Sequence, residues 1–216
     1  MGRLAVVGGN ATRGLRLSDG AWTYLQRHGE AAYALPHEID YEENMRRLAR
    51  AGCDRVLAIG SVGGLRTELG PGTFACPDDF IALDLRSPST YTDMRAHGVP
   101  GFDPGWRKLV VEAWTRLANV ALRDGGVYWQ SNGPRLETPA EIRLIAAYAD
   151  VIGMTIASEC VIAGELGLAY AAVCVVDNLA NGVGDRELTI EELEAGRAAN
   201  QARLAEALEA VLPALA

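Results

Sequence analysis

Two spacings of apolar residues alternate along this chain. Leu4 to Val7, Arg55 to Ile59, Phe80 to Leu83, Val127 to Gln130, Val151 to Met154 and Ala169 to Val176 are short apolar or β-branched runs ending near Gly, Asp or Asn, which predicts buried strands. Tyr41 to Ala51, Gly105 to Asp124, Pro139 to Tyr148, Ser158 to Leu166 and Ile190 to Leu212 carry helix formers with apolar positions about one helical turn apart, which predicts helices. Thr138-Pro139 reads as an N-cap followed by a first-turn proline, and Thr189 precedes Glu191 and Glu192 in a similar way. Strands alternating with helices predict one three-layer α/β domain over residues 1–216. The longest irregular stretch, Arg86 to Gly105, contains Pro88, Pro100 and Pro104, and loops of that length in compact domains are usually functional or mobile.

Composition narrows the reading. A chain of 216 residues, 49% hydrophobic and 22% charged, holds enough apolar surface for a core that folds without staples. Its net charge of -8 disfavours a nucleic-acid surface, because phosphate backbones are gripped by clustered Lys and Arg. A charged substrate must then be held by a few local cations. Cys53, Cys76, Cys160 and Cys174 form no C-x-x-C pair, so they read as buried free thiols rather than a zinc or redox site. The N-terminus runs straight into a strand without a signal peptide, and no apolar run reaches membrane-spanning length, so a cytoplasmic protein is expected.

The densest information lies in Gly133-Pro134-Arg135-Leu136-Glu137-Thr138, followed by Gly153-Met154-Thr155 and Ser158-Glu159. Earlier come Gly8-Gly9 after the first strand, Arg27-His28-Gly29 after a second, the segment Pro36-His37-Glu38-Ile39-Asp40-Tyr41-Glu42-Glu43-Asn44, then Gly60-Ser61-Val62-Gly63-Gly64-Leu65 and Pro71-Gly72. In order and spacing these resemble the trimeric purine nucleoside phosphorylases, and among them the methylthioadenosine and methylthioinosine phosphorylase branch. The resemblance implies a three-layer α/β/α sandwich with a central mixed sheet, and a homotrimer. It also implies that orthophosphate is the co-substrate and that neither a metal nor an organic cofactor is needed. Its departures are the shorter interval from Gly9 to Arg27, Asn10 in place of a family Thr or Ser position, Asn132 before Gly133, and Ser158 where the family has Pro.

Cleaving a purine N-glycosidic bond builds positive charge on the sugar and negative charge on the base. The protein must supply an anion pocket, a ribose contact and a hydrogen-bonding partner for the purine. A glycine turn at Gly8-Gly9 can aim backbone N–H groups at an oxyanion. Asn10 adds an amide, Arg27 a charged fork suited to phosphate and His28 a neighbouring donor. The resemblance adds the backbone at Ser61 and the hydroxyl of Thr155 to the anion pocket. It also implies Met154 against the ribose, Val62, Gly63, Leu136 and Ala180 around the nucleoside, and His97 in the loop near a subunit contact. Arg135 and Glu137 would support the site, or form a structural ion pair.

The resemblance implies that the base is read near Asp177-Asn178-Leu179-Ala180-Asn181-Gly182. Alignment on Gly182 brings Asn178 to the base, and an amide suits a 6-oxopurine because it donates to O6 and accepts elsewhere. A slip of one residue would present Asp177 instead and imply a 6-aminopurine. Three functions stay open at this level: a purine nucleoside phosphorylase, a hydrolase using water, suggested by Asn10, and a silent nucleoside-binding protein, suggested by the short N-terminal half.

Overall fold

The structure, a computed structural model, describes residues 2–15, 17–18, 20–29, 32–83, 88–184 and 188–216. Strand β3 (Cys53–Gly64) is its spine. Along the first half of one edge lies β1 (Arg3–Gly8), parallel, with Val7 opposite Ala58. Along the last residues of the same edge lies β8 (Val151–Gly153), antiparallel, with Ile152 opposite Gly63. The other edge is covered throughout by β9 (Ala169–Leu179), parallel. Residues 59–62 of β3 therefore lie between the end of β1 and the end of β8, and the sheet parts there.

The remaining strands extend this frame. β2 (Trp22–Gln26) pairs with β1, β4 (Phe74–Cys76) with β9, and β6 (Leu122–Asp124) with β4. β7 (Val127–Gln130) joins β8 to β5 (Asp79–Ile81). The sheet is mixed, as its parallel and antiparallel pairs require.

Alternation along the central strands explains the layers. Val56, Ala58, Ala172, Cys174 and Val176 face α1 (Tyr41–Arg50) and α4 (Ile156–Glu165), and pack on Met45, Leu48, Ile156 and Cys160. Their neighbours Leu57, Ile59, Val173 and Val175 face α2 (Pro104–Leu117) and α5 (Ile190–Leu215), and pack on Trp114, Leu204, Leu208 and Val211. A smaller cluster seats α3 (Pro139–Ile145) through Ile142 and Ile145 on Ile152 and Ala180. The cysteines are all buried and unpaired.

Several elements differ from the sequence expectations. β3 and β9 run past Ile59 and Val176 to Gly64 and Leu179. The helix expected from Gly105 to Asp124 stops at Leu117, where Ala118 turns extended (ψ 146°), and its last residues form β6. Within the expected loop, Met94–His97 forms a 3-10 turn, Tyr91 donates its hydroxyl to Glu165 O at 2.7 Å, and Asp103 caps α2 by accepting from Trp106 N at 2.7 Å. Arg86 and Ser87 of that loop lie outside the described residues.

Candidate functional site

A cleft of about 240 Å³ opens where the sheet parts. Its floor is β3 at Ser61, Val62 and Gly63, and its sides are the ends of β8 and β9 with the segments following β2 and preceding α3. Of the residues expected from the sequence, Asn10, Arg27, His28, Ser61, Val62, Gly63, Leu136, Met154, Thr155, Asn178 and Ala180 line it together. Gly9, Asp177 and His97 do not.

Arg27 lies at the bottom of one end. Its Nε and Nη2 donate to Glu159 at 2.9 and 2.8 Å, and Nη1 donates to Ile59 O at 3.0 Å. Burial opposes its charge, yet the adjoining Glu159 carboxylate leaves its pKa above the ordinary value. Tyr170 completes the group by donating to Glu159 at 2.6 Å. The signature residues around it position it. Asn44 of α1 donates to Arg27 O at 3.1 Å, and Tyr41 ties Pro36 O at 3.0 Å to Met154 O at 3.4 Å. Gly9 acts here by its smallness, since a Cβ on it would stand 2.4 Å from Arg27 Nη1.

His28 stacks on Tyr33 at 4.6 Å, and its Nδ1 meets Ala34 O at 2.8 Å. A carbonyl only accepts, so Nδ1 carries hydrogen and a neutral ring presents Nε2 as an acceptor. Burial, then the charge of Arg27, holds its pKa below the ordinary histidine value against the pull of Ala34 O. Asn10 donates to Tyr33 Oη at 3.1 Å, closing the same end.

Thr155 stands at the N-cap of α4, and its hydroxyl makes no cap hydrogen bond. Tyr128 takes over that capping: its Oη accepts from Thr155 N at 3.2 Å and Ile156 N at 3.3 Å, while Gln130 Oε1 accepts from Ser158 N at 3.0 Å. Both come from the buried face of β7. Gly153 leaves room for this, because a Cβ there would lie 2.5 Å from Tyr128 Oη.

At the opposite end the pairing of β3 with β9 skips one residue: Val62 faces Val176, but Gly63 faces Asn178. The extra residue is Asp177. Asn178 and Ala180 line the cleft, while Asp177 is held by Ser61 Oγ at 2.5 Å and Asn200 Nδ2 at 2.8 Å. The choice between adjacent side chains, open in the sequence, is geometrically resolved here: Asn178 reaches the cleft and Asp177 does not. His97 is exposed on its 3-10 turn. Arg135 is also exposed and pairs with Glu141 at 2.8 Å, while Glu137 accepts from Ser131 Oγ, so these two signature residues form no pair with each other.

A family model described as the phosphorylase superfamily matches residues 9–213. The chain belongs to the phosphorylase superfamily. A probable 6-oxopurine nucleoside phosphorylase of Archaeoglobus fulgidus is 41% identical over 169 residues, covering 78% of this chain and 69% of that protein. A probable S-methyl-5'-thioinosine phosphorylase of Xanthomonas campestris pv. campestris is 38% identical over 178 residues, covering 79% and 71%. Among solved structures, methylthioadenosine phosphorylase from Schistosoma mansoni in complex with adenine superposes with a TM-score of 0.79 at 20% identity, over 100% of this chain and 91% of that one, a likeness of fold.

Seen as a superfamily member, the chain carries cleft residues that its motifs do not announce. Tyr33, Leu35, Ile152, Leu188 and Leu193 line the same cleft. Pro36 had a signal, since it opens the segment that ends at Asn44. The leucines had none, because an apolar side chain in a connection or on a helix reads as ordinary packing until the fold brings it to a cavity.

Proposed function

We propose that this chain is a purine nucleoside phosphorylase. Orthophosphate attacks C1' of a purine nucleoside, the N-glycosidic bond breaks, and free base and the ribose 1-phosphate leave. We further propose a 6-oxopurine as the base and a 5'-methylthio group as the favoured 5' substituent. One observation carries the base assignment: Asn178 lines the cleft while Asp177 faces Ser61 and Asn200. As the bond breaks, negative charge grows on the purine, and an amide that donates to O6 or N7 stabilises it where a second anion would repel it.

In this reading Asn10, Arg27, Ser61 and Thr155 donate to phosphate, His28, expected as a donor, accepts through Nε2 from a protonated phosphate oxygen, Gly9 admits the guanidinium beside it, and Met154 meets the ribose. Val62, Gly63 and Ala180 flank the base. The superfamily membership and the named relatives support phosphate as acceptor, and no metal or organic cofactor enters the step. Uncharged walls at Leu35, Pro36, Leu136, Leu188 and Leu193 support a methylthio group over a bare hydroxyl. A homotrimer belongs to the same reading. The exposed Leu144 and Tyr148 suit an interface, and His97 would serve a neighbouring copy's cleft.

The test is release of free base from inosine, methylthioinosine, adenosine and methylthioadenosine, each with and without phosphate. Phosphate-dependent release, fastest from methylthioinosine, is expected. Release without phosphate would make the protein a hydrolase, an adenine preference would overturn the role given to Asn178, and no release would overturn the enzyme reading.

A further inference from the structure

Asp177 is a buried carboxyl, 2% exposed, whose hydrogen-bond partners are neutral. Oδ1 accepts from Asn200 Nδ2 at 2.8 Å, and Oδ2 meets Ser61 Oγ at 2.5 Å. Among the described residues the charged groups around it are few. On α5, Arg197 is paired with Glu194 at 2.6 Å, and Glu192 lines the second cavity behind Asp177. Beyond Ser61, across the cleft, stand Arg27 and His28. Burial raises the pKa of Asp177 above its ordinary value, against smaller opposing effects of Asn200, Ser61 and Arg197.

Ser61 has one hydroxyl hydrogen, and Asp177 decides where it points. An ionised carboxylate only accepts, so it takes that hydrogen and leaves Oγ with lone pairs alone toward the cleft. A carboxyl protonated at Oδ2 donates to Oγ instead, and the hydrogen of Ser61 becomes available to a bound anion.

We infer that Asp177 is a positioning residue for phosphate, acting through Ser61: the protonated carboxyl donates to Ser61 Oγ, and Ser61 donates to the anion. The inference rests on the phosphorylase reading of the cleft. Anion binding draws one proton from solvent onto Asp177 Oδ2, and product release returns it. The same proton removes a negative charge that would otherwise face the phosphate through a single hydroxyl.

The experiment measures KM for phosphate and kcat from about pH 6 to about pH 9 for the wild type, Asp177→Asn and Ser61→Ala. An asparagine at 177 is a permanent copy of the protonated acid, since its oxygen accepts from Asn200 while its amide donates to Ser61. The wild-type KM should climb relative to Asp177→Asn by up to about tenfold per pH unit above the apparent pKa of Asp177, with kcat moving far less. The ionisations of phosphate and His28 are common to both proteins and cancel in this ratio. Ser61→Ala should bind phosphate weakly throughout and lose the extra alkaline climb, which keeps the test available if Asp177→Asn does not fold. Turnover that needs phosphate but gives a constant ratio, or a Ser61→Ala profile that climbs like the wild type, would overturn the relay alone. No phosphate-dependent turnover from any nucleoside would overturn the phosphorylase reading beneath it.

Discussion

Two buried carboxylates stand behind the cleft, and they are held in opposite ways. Glu159 is 0% exposed and accepts from Nε and Nη2 of Arg27 and from the Tyr170 hydroxyl. Asp177 is nearly as buried and meets an amide and a hydroxyl. The first arrangement is a paired charge with three of the five guanidinium N–H groups engaged, so it fixes Arg27 in one place and one charge state and leaves a hydrogen on each of Nη1 and Nη2. The second has no cation among its described hydrogen-bond partners, so in the proposed relay its charge responds to what enters the cleft. The difference matters for anion binding: much of the charge of Arg27 is already answered by Glu159, and neutral donors such as Ser61, Thr155 and Asn10 must supply the rest.

The contrast can be broken most violently at the ion pair. Glu159→Ala leaves a guanidinium buried without its partner and should cost roughly 3–5 kcal/mol, read as a fall in the urea midpoint. If the pair were incidental, the loss would be under about 1 kcal/mol, as for an exposed bridge. Asn178→Ala should lower kcat for 6-oxopurine release by about 100- to 1,000-fold with little change in the urea midpoint, because the side chain faces the cleft rather than the core.

The Asp177 side is sharpened by its packing. Gly196 of α5 passes so close that a Cβ would stand 1.8 Å from Asp177 O. Gly196→Ala should therefore push the helix off β9 and cost about 1–3 kcal/mol, measurable by thermal melting, with a raised KM for phosphate as Asn200 and Asp177 separate. The smallest effect concerns His28. Its folded pKa is depressed, so the stability it contributes is present above the unfolded value of about 6.5 and is lost as pH falls toward the folded one. Replacing it with Gln should flatten the melting temperature across that acidic window, and an unchanged slope would mean that burial does not control its proton.

Most of the strand and helix order was legible, because buried strands and amphipathic helices write different periods into the chain. The ends were harder. The apolar run was ended at Ile59, before Gly60, whereas the strand continues to Gly64 and the missing side chains of Gly60, Gly63 and Gly64 let Ile156, Ile152 and Leu69 approach the backbone. β4 and β6 are three residues each, too short for a period to show, and Leu122 continued the helical spacing of α2. Arg27 and His28 were singled out by residue type and Thr155 by the family resemblance, and the fold brings the three to one cleft. The bulge was not: the same letters Asp177-Asn178 admit either register, and the extra residue emerges when Val62 and Gly63 are seen opposite Val176 and Asn178. Arg135 and Glu137 were read as support for the site or as an ion pair, but Glu141, inside the capping box of α3, takes the arginine.

The proposed division of labour, in which Asn178 reads the base while Asp177 stands behind Ser61, is measured by the ratio of kcat/KM for inosine to that for adenosine in the wild type, Asn178→Asp and Asp177→Asn. A ratio well above one is expected in the wild type, a reversal of at least about tenfold toward adenosine in Asn178→Asp, since a carboxylate accepts from the 6-amino group and cannot donate to O6, and an unaltered preference in Asp177→Asn. A preference that moves with residue 177 and ignores residue 178 would contradict it.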